Sequence, residues 1–305
     1  MAAAQLNTMS THSDNPVEFC RQLAAPRGSS NHYATLYMPA AQQPAAWAVL
    51  ALRHELNDVV TRIAEPSVAL ARLDWWQAEL QAAAQGQAQH PIAQALSQHV
   101  LQHPGHDALL DELLSGAHDH LHPARIENAS DFALMSYRQD TAAWLILTDI
   151  SGQAGRTERD FAHALGSAIT WTRVLHYVGR DAAQGEVWIP QQTLVHHGLN
   201  AADLMQPRTT ERARAMFAEL GQHIRQHIQY ARSLLPAAKQ PEQIMALVSL
   251  AHAEALLDAM QDEDWNLLER RPELTPLRLL WLAWRTAGKA RRGKITPHKI
   301  NQTNP

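Results

Sequence analysis

The chain has 305 residues, of which 46% are hydrophobic, so it can bury a large core as one big domain or two small ones. Its 26 basic and 30 acidic side chains give a formal net charge of -4, which argues against nucleic acid as a partner. One cysteine, Cys20, excludes an internal disulfide framework, and the lack of a long uninterrupted apolar run favours a cytoplasmic protein, with peripheral membrane contact left open.

Four features describe the first third of the chain. Residues 1–27 are polar and Ala-rich, and we expect this N-terminal segment to be poorly ordered. Ser29 is a suitable cap for a short helix that follows it. Longer helices are predicted over 45–63 and 66–80 from the spacing of their apolar residues. The Trp75-Trp76 pair shares the leucine spacing of the second helix, so we interpret it as core packing.

The rest of the chain is also predicted to be mainly helical. The segment 185–189 is the one piece whose pattern favours an extended strand. The class predicted is therefore all-α, with a helical domain over 28–287 and a basic C-terminal tail over 288–305. The further helices are predicted at 92–102, 108–118, 129–152, 158–180, 201–204, 210–235, 241–262 and 276–289.

A polar stripe distinguishes the helix predicted over 158–180. Thr170, Arg173, Tyr177 and Asp181 recur three or four residues apart, so they lie on one side of that helix. Burying such groups costs free energy unless they line a cavity or meet partners. The stripe is therefore a candidate wall of a binding site, and the alternative is an ordinary solvent-facing side of a helix.

The 18 histidines invite a metal interpretation, which the spacing does not favour. In the run HDHLHP, His118, His120 and His122 alternate, and alternate histidines meet one ion only on an extended segment. The run HIRQH at 223–227 lacks the Glu that a metalloprotease-type helix needs. We interpret HDHLHP as a loop rich in surface histidines, and we find neither a Gly-rich phosphate loop nor a GxSxG elbow.

Five blocks of the chain carry a family resemblance. They read SSNHYATLYMP, WAVLALRHELNDVV, LARLDWWQAEL, LGSAITWTRVLHYVGRDAAQGEVWIPQQTLVHHGL and ALLDAMQDEDWNLLERRPELTPLRLLWLAWR. In order and spacing, from about Ser29 to Arg285, they resemble the squalene/phytoene synthase family. The resemblance implies the all-α isoprenoid synthase fold with a central cavity. It also implies a terpenoid-forming ancestral reaction, the head-to-head condensation of two prenyl diphosphates by a transferase.

The resemblance further implies where Mg²⁺ would bind. Family members use two Asp-rich motifs on facing helices to hold Mg²⁺ ions that bridge to the diphosphate. Here the ligand positions of the first motif hold Asn57 and Thr61, and those of the second hold Tyr177 and Asp181. Only Asp181 remains as an aligned metal ligand, and neutral groups do not replace lost carboxylates in a hard-cation site. We therefore assign no catalytic residue and expect Mg²⁺ only if the protein is catalytic.

Neighbouring positions also depart from the family pattern. Arg173 stands where an Asn is expected, and Arg180 stands where an acidic residue is expected. Glu55 and Asp58 remain near the first motif, but one residue along a helix turns a side chain by about 100°, so neither replaces a lost ligand. By the resemblance we expect the ligand to be contacted by His54, Asn57, Asp58, Tyr137, Arg173, His176, Tyr177 and Arg180.

Two functions are open at this point. In the first, the protein is a pseudoenzyme that has lost Mg²⁺-dependent condensation and binds an isoprenoid-like ligand, or a partner protein in the manner of an assembly factor. In the second, it is an active farnesyl or geranylgeranyl diphosphate transferase of altered mechanism. There Arg173, His176 and Arg180 would hold the diphosphate directly with fixed cations.

Overall fold

The computed structural model describes residues 15–121, 126–152 and 155–296. These residues form fourteen α-helices and contain no strand, so the prediction of an all-α class is confirmed and the strand expected at 185–189 is not found. A π-helical turn (Tyr137–Thr141) and a 3₁₀ turn (Ala237–Lys239) complete the regular structure. In chain order the helices are α1 (Pro16–Ala24), α2 (Ser30–Thr35), α3 (Gln43–Arg62), α4 (Pro66–Ala84), α5 (Pro91–His99), α6 (His106–Leu121), α7 (Ala129–Ser136), α8 (Ala142–Gly152), α9 (Arg156–Ala183), α10 (Gln191–His196), α11 (Ala201–Leu204), α12 (Glu211–Leu234), α13 (Ile244–Asp262) and α14 (Pro276–Ala290).

Helix α1 lies inside the segment expected to be poorly ordered. The Asn15 side chain caps it by accepting a hydrogen bond from the Val17 amide at 3.0 Å, and Pro16 occupies its first turn. Cys20 and Ala24 are buried where α1 packs against α3 and α5. The part of that expectation before residue 15 lies outside the described residues, and the domain limits 28–287 remain a prediction.

Two predicted features of α4 differ from the structure. The helix continues to Ala84, beyond its predicted end at residue 80. Trp76 is fully buried, as interpreted, but Trp75 is 38% exposed. The Arg72 guanidinium lies 4.3 Å from the Trp75 ring centre, so a cation–π contact covers part of this exposed ring.

The helix predicted over 129–152 is interrupted by the π turn between α7 and α8. Its amide–carbonyl bond spans five residues, from the Ala142 N–H to the Tyr137 carbonyl. The inserted residue directs Gln139 and Asp140 toward α3 and α9, where both side chains find arginine partners. A single extra residue in a helix therefore sets the position of two polar groups in the core.

Helix α9 is the central element and contacts α7, α8, α12, α13 and the π turn. Gly166 permits the close approach to the π turn, because a Cβ atom there would lie 2.6 Å from the Thr141 Cα. Gly179, next to the predicted helix end at residue 180, lies within the helix, which continues to Ala183. A Cβ at Gly179 would lie 2.6 Å from the Leu267 carbonyl oxygen, so this glycine admits a crossing loop and does not end the helix.

Helix α13 is long and apolar enough to cross a membrane by length and composition alone. In the fold, 67% of its most apolar window is buried, and the helix packs against α2, α9 and α14. This burial is what a core helix of the bundle requires.

Candidate functional site

A cavity of about 480 Å³ lies between α3, α6 and α9. Gln139 of the π turn and residues of the segment 184–188 complete its wall, and Ala24 of α1 and Asn31 of α2 reach it from the N-terminal side. The wall is mixed, with apolar side chains such as Leu50 and Leu113 beside charged ones. This volume is within the range of roughly 300–1,000 Å³ that is usual for small-molecule sites.

Both degenerate motifs line this cavity. Helix α3 carries the first motif and α9 carries the second, and the two helices present their polar stripes to the same space. The interpretation of the α9 stripe as a site wall therefore describes its position better than the solvent-facing alternative. The motif and expected ligand-contacting residues in the wall are His54, Asn57, Thr61, Arg173, Tyr177, Arg180 and Asp181.

Three expected ligand-contacting residues are not in the wall. Asp58 pairs along its own helix with His54 at 3.5 Å and Arg62 at 3.2 Å. Tyr137 stacks on His163, with the ring centres 5.9 Å apart. His176 has its Nε2 atom 2.9 Å from the Pro272 carbonyl oxygen. Each of these side chains has another partner and lies outside the cavity wall, and the expectation that it contacts a ligand stays a prediction.

Asp140 is the buried anchor of the cavity wall, although its own side chain is not exposed to the cavity. Its carboxylate is 0% exposed, is bound by Arg53 and lies 3.4 Å from the Arg173 Nε atom. The Thr170 hydroxyl lies 2.9 Å from the same carboxylate and accepts a hydrogen bond from Ser136 at 3.0 Å. Burial acts to raise the pKa of Asp140, but the two guanidinium groups and the hydroxyl outweigh it and hold the pKa below its usual range.

Arg173 and Arg53 are therefore fixed cations of the cavity. Arg173 also donates to the side-chain carbonyl of Gln139, and both arginines line the open space beside Asn57. Arg53 has 25% and Arg173 has 32% of its side chain exposed, so each reaches solvent while its guanidinium is held. Neither Arg53 nor Asp140 was predicted as a site residue, because the Asp140 carboxylate meets the two arginines only through the π turn.

Asp181, the one aligned acidic ligand, is engaged by its neighbour. Arg180 donates a hydrogen bond through Nε to Asp181 Oδ1 at 2.8 Å, and its Nη2 atom forms an ion pair with the same oxygen at 2.7 Å. Burial raises the pKa of Asp181, against the opposing effect of Arg180. The Arg180 guanidinium also lies 4.1 Å from the Tyr177 ring centre, and Arg271 lies 5.4 Å from the same ring. The second motif is thus surrounded by guanidinium groups.

The sequence did not predict three residues, His120, Glu186 and Trp188, as part of the cavity wall. The His120 ring lies against Trp188 with the centres 4.7 Å apart, and its Nε2 atom is 3.6 Å from Glu186 Oε1. That distance exceeds a hydrogen bond, so the buried Nε2 atom has no hydrogen-bond partner among the described residues. Burial and the charges of Arg173 and Arg180 lower the pKa of His120 to about 4, which leaves the imidazole neutral at pH 7.

The cavity surface carries more positive than negative side chains. Its lining contains four guanidinium groups and two carboxylates, and burial raises the pKa of both acids. Asp58 and Asp140 balance part of this charge from behind the wall. The lining therefore favours an anionic ligand. The charged lining residues are Arg53, Arg62, Arg173, Arg180, Asp181 and Glu186.

These donors do not fit Mg²⁺. Mg²⁺ prefers a near-octahedral set of oxygens that includes carboxylates. Thr61 donates its hydroxyl to the Asn57 carbonyl at 2.8 Å, and Asp181 is bound by a guanidinium whose charge repels a cation. Glu186 is the other carboxylate of the wall, and it belongs to no group of three convergent acidic or histidine ligands among the described residues.

Histidine clusters lie elsewhere. Within the described ranges, the one convergent group of three metal-ligand side chains is His196, His197 and Glu219, which do not line the cavity. His118 and His120 lie on α6, so the surface-loop interpretation of HDHLHP is wrong for these two residues. His122 lies outside the described residues.

Comparisons with known proteins agree on one family. The squalene/phytoene synthase family model matches residues 24–278. The 15-cis-phytoene synthase of Synechocystis sp. is 24% identical over 88% of this chain and 84% of its own length. Phytoene synthase 2, chloroplastic, of Solanum lycopersicum is 24% identical over 86% and 87%.

Two solved structures share the fold. A dehydrosqualene synthase crystallised in complex with ligand has a TM-score of 0.80 at 16% identity, covering 90% of this chain and 96% of its own. The squalene synthase HpnC from Alicyclobacillus acidocaldarius has a TM-score of 0.70 at 20% identity, covering 82% and 95%. At these identities the likeness establishes the helical isoprenoid synthase-type fold alone.

Proposed function

Because the chain belongs to the squalene/phytoene synthase family, we propose that its cavity binds a prenyl diphosphate, or an isoprenoid-like lipid with an anionic head, through arginine side chains. In this proposal the protein does not carry out Mg²⁺-dependent condensation. The observation that carries it is the pair of guanidinium groups, Arg53 and Arg173, that share the buried carboxylate of Asp140 at the cavity wall.

Two guanidinium groups against one carboxylate leave N–H donors for a ligand. Each guanidinium has five N–H groups in a fixed fork that matches the oxygens of a phosphate. Asp140, Thr170 and Gln139 hold Arg53 and Arg173 in position, so little side-chain entropy is lost when an anion binds. Arg180, which also lines the cavity, adds a third cation to the same space.

His120 supports a polar ligand next to these arginines. Its buried Nε2 atom has no hydrogen-bond partner in the described part of the chain, and such an atom costs free energy until a ligand or water satisfies it. The neighbouring Trp188 ring and the apolar side chains of Leu50 and Val60 offer contacts for a hydrocarbon tail. One cavity thus contains donors for an anionic head and apolar surface for a tail.

In this proposal, Mg²⁺-dependent condensation is lost because the cavity has arginines and lacks most of the carboxylates that would bind Mg²⁺. Ionising an allylic diphosphate requires stronger stabilisation of the leaving group in the transition state than in the bound substrate. Fixed guanidinium groups hold the diphosphate in both states. The carboxylates that would bring Mg²⁺ to the leaving group are replaced by Asn57, Thr61 and Tyr177. Tight binding without turnover is the expected result.

An active prenyl transferase of altered mechanism is the second candidate. It is favoured by the relatives named phytoene synthase, which match 83–88% of this chain at 22–24% identity. In that case Arg53, Arg173 and Arg180 would stabilise the departing diphosphate themselves. Asp181 would be the one carboxylate left at the ligand positions of the two Asp-rich motifs.

Turnover and binding assays separate the two candidates. The purified protein is incubated with farnesyl or geranylgeranyl diphosphate, Mg²⁺ and NADPH, and the extract is analysed for C30 and C40 hydrocarbons. We expect no product, while the same diphosphates raise the melting temperature with and without Mg²⁺. Product formation that Asp181→Ala abolishes would establish the transferase. No thermal shift in either condition would remove the proposed ligand class.

A further inference from the structure

Helix α14 exposes an unusual amount of apolar surface. Leu277 is 79%, Trp281 50% and Trp284 63% exposed, and they make up three of the ten large exposed apolar side chains among the described residues. Their spacing of four and three residues places them on one stripe of the helix. The opposite face, with Leu279 and Ala283, is buried in the fold. A continuous exposed stripe of this kind indicates an interaction surface.

The charged side chains of this helix are all positive. The helix sequence PLRLLWLAWRTAGKA contains no acidic residue. Arg278, Arg285 and Lys289 are exposed, and at about 100° per residue they lie together on one side of the apolar stripe. The Arg285 guanidinium lies 5.1 Å from the Trp281 ring centre, so the cationic and apolar parts are in direct contact.

We propose that this face of α14 docks onto an anionic phospholipid membrane. Tryptophan prefers the membrane–water interface because its ring is apolar and its N–H group is polar. Leu277 and the two tryptophans would enter the headgroup region while the basic side chains meet lipid phosphates. The positive charge beside the stripe favours an anionic lipid surface over an uncharged one. The inference does not depend on which ligand the cavity binds.

The position of α14 connects this surface to the cavity. Helix α14 packs against α2, whose Asn31 lines the cavity. Arg271, five residues before α14, lies over the Tyr177 ring of the cavity wall. Docking through α14 would therefore bring the segment that carries Arg271, which contacts the cavity-wall residue Tyr177, close to the membrane.

Vesicle flotation with the full chain and no added ligand tests the proposal. We expect the protein to float with vesicles of phosphatidylcholine and phosphatidylglycerol and to remain unbound with phosphatidylcholine alone. Leu277→Ser/Trp281→Ser/Trp284→Ser should abolish flotation. Val195→Ser/Tyr230→Ser, which changes two exposed apolar side chains on α10 and α12, should leave flotation unchanged.

A second pair of variants tests whether the basic side chains of α14 are needed for vesicle binding. Arg278→Glu/Arg285→Glu/Lys289→Glu should weaken binding by roughly fivefold or more for each position, and the effect should shrink at high salt. Arg156→Glu/Arg159→Glu, at the exposed start of α9, is the matched control. A melting temperature close to that of the wild type confirms that each variant is folded, as expected for exposed positions.

Three results would overturn the proposal. The first is a wild-type protein that does not bind anionic vesicles. The second is an α14 serine variant that floats as well as the wild type. The third is a concentration-dependent dimer, measured by light scattering, that the serine variant abolishes while the wild type binds no vesicles. That outcome would assign the α14 face to a second copy of the chain.

Discussion

Arg173 Nε lies 3.4 Å from Asp140 Oδ2, and this fully buried carboxylate also binds Arg53. One acid therefore holds two cations at the wall of the cavity. Asp140 comes from the π turn, Arg53 from α3 and Arg173 from α9, so three elements meet at this contact. The same carboxylate should accordingly contribute to stability and to ligand binding.

Replacing Asp140 by Asn should destabilise the fold. Removing one partner of a buried ion pair leaves the remaining charge uncompensated, and we expect a loss of about 3–5 kcal/mol in the free energy of unfolding. Urea unfolding at pH 7 measures it. The control is Asp258→Asn, which removes a 49% exposed partner of Arg225 and should cost less than about 1 kcal/mol. Equal losses in the two variants would contradict the buried-anchor interpretation.

Replacing Arg173 by Met should weaken binding of a prenyl diphosphate. The change keeps the length of the side chain and removes its charge-assisted hydrogen bonds, so we expect roughly a ten- to hundredfold higher dissociation constant. Calorimetric titration with farnesyl diphosphate provides the measurement. Arg225→Met, at a guanidinium that pairs with Asp258 outside the cavity, should bind as the wild type does. Unchanged binding by Arg173→Met would place the anion elsewhere.

Stability should fall between pH 6.5 and about 4, in part because of His120. Its pKa is lowered by burial and by Arg173 and Arg180 from 6.5 to about 4 in the folded protein. As the pH falls through this window the unfolded chain binds a proton before the folded chain does, so the free energy of unfolding decreases. His90, which burial and Arg72 shift to about 4, acts in the same direction.

The variant His120→Gln should flatten this pH dependence. Urea unfolding at pH 7 and at pH 4.5 gives the difference for the wild type and the variant. His196→Gln, at an exposed histidine outside the cavity, is the control and should keep the wild-type difference. If His120→Gln and the wild type lose the same stability on acidification, His120 is not the buried neutral base described here.

Replacing Gly166 by Ala should destabilise the fold, because the added methyl group would push α9 away from the π turn. The new Cβ would lie 2.6 Å from the Thr141 Cα, and overpacking of this kind costs about 1–3 kcal/mol. The melting temperature should fall by several degrees. Gly288→Ala on α14 is the matched control: its nearest neighbour is Arg292 Nη2 at 3.8 Å, so it should stabilise by about 0.5–1 kcal/mol through helix propensity. A neutral Gly166→Ala would contradict the close contact.

Much of the fold follows from periodicity and sequence blocks. Helical spacing located α3, α9, α12 and α14 to within a few residues, and the family resemblance is confirmed by the match over 24–278. The α9 stripe was recognisable because Arg173, Tyr177 and Asp181 share one helix face. Such local patterns are encoded within single elements, and sequence alone therefore reveals them.

The residues that form the cavity were harder to predict from the sequence than the helices were. The π turn has no distinct spacing signal, since the run from 129 to 152 is apolar enough for one helix, and Asp140 reaches Arg53 only through that insertion. The one signal in the sequence was the position of Asp140 just before the apolar residues of α8. Helix α6 supplies His120 and the segment after α9 supplies Glu186, and tertiary packing alone brings these two together.

The metal dependence of binding tests the central claim most directly. Titration of the wild type with an uncleavable farnesyl thiolodiphosphate should give the same dissociation constant in EDTA and in Mg²⁺, because arginines hold the head group. The variant Asn57→Asp/Thr61→Asp restores two carboxylates one turn apart on α3 and should bind more tightly when Mg²⁺ is present. Wild-type binding that disappears in EDTA and returns with Mg²⁺ would contradict the account.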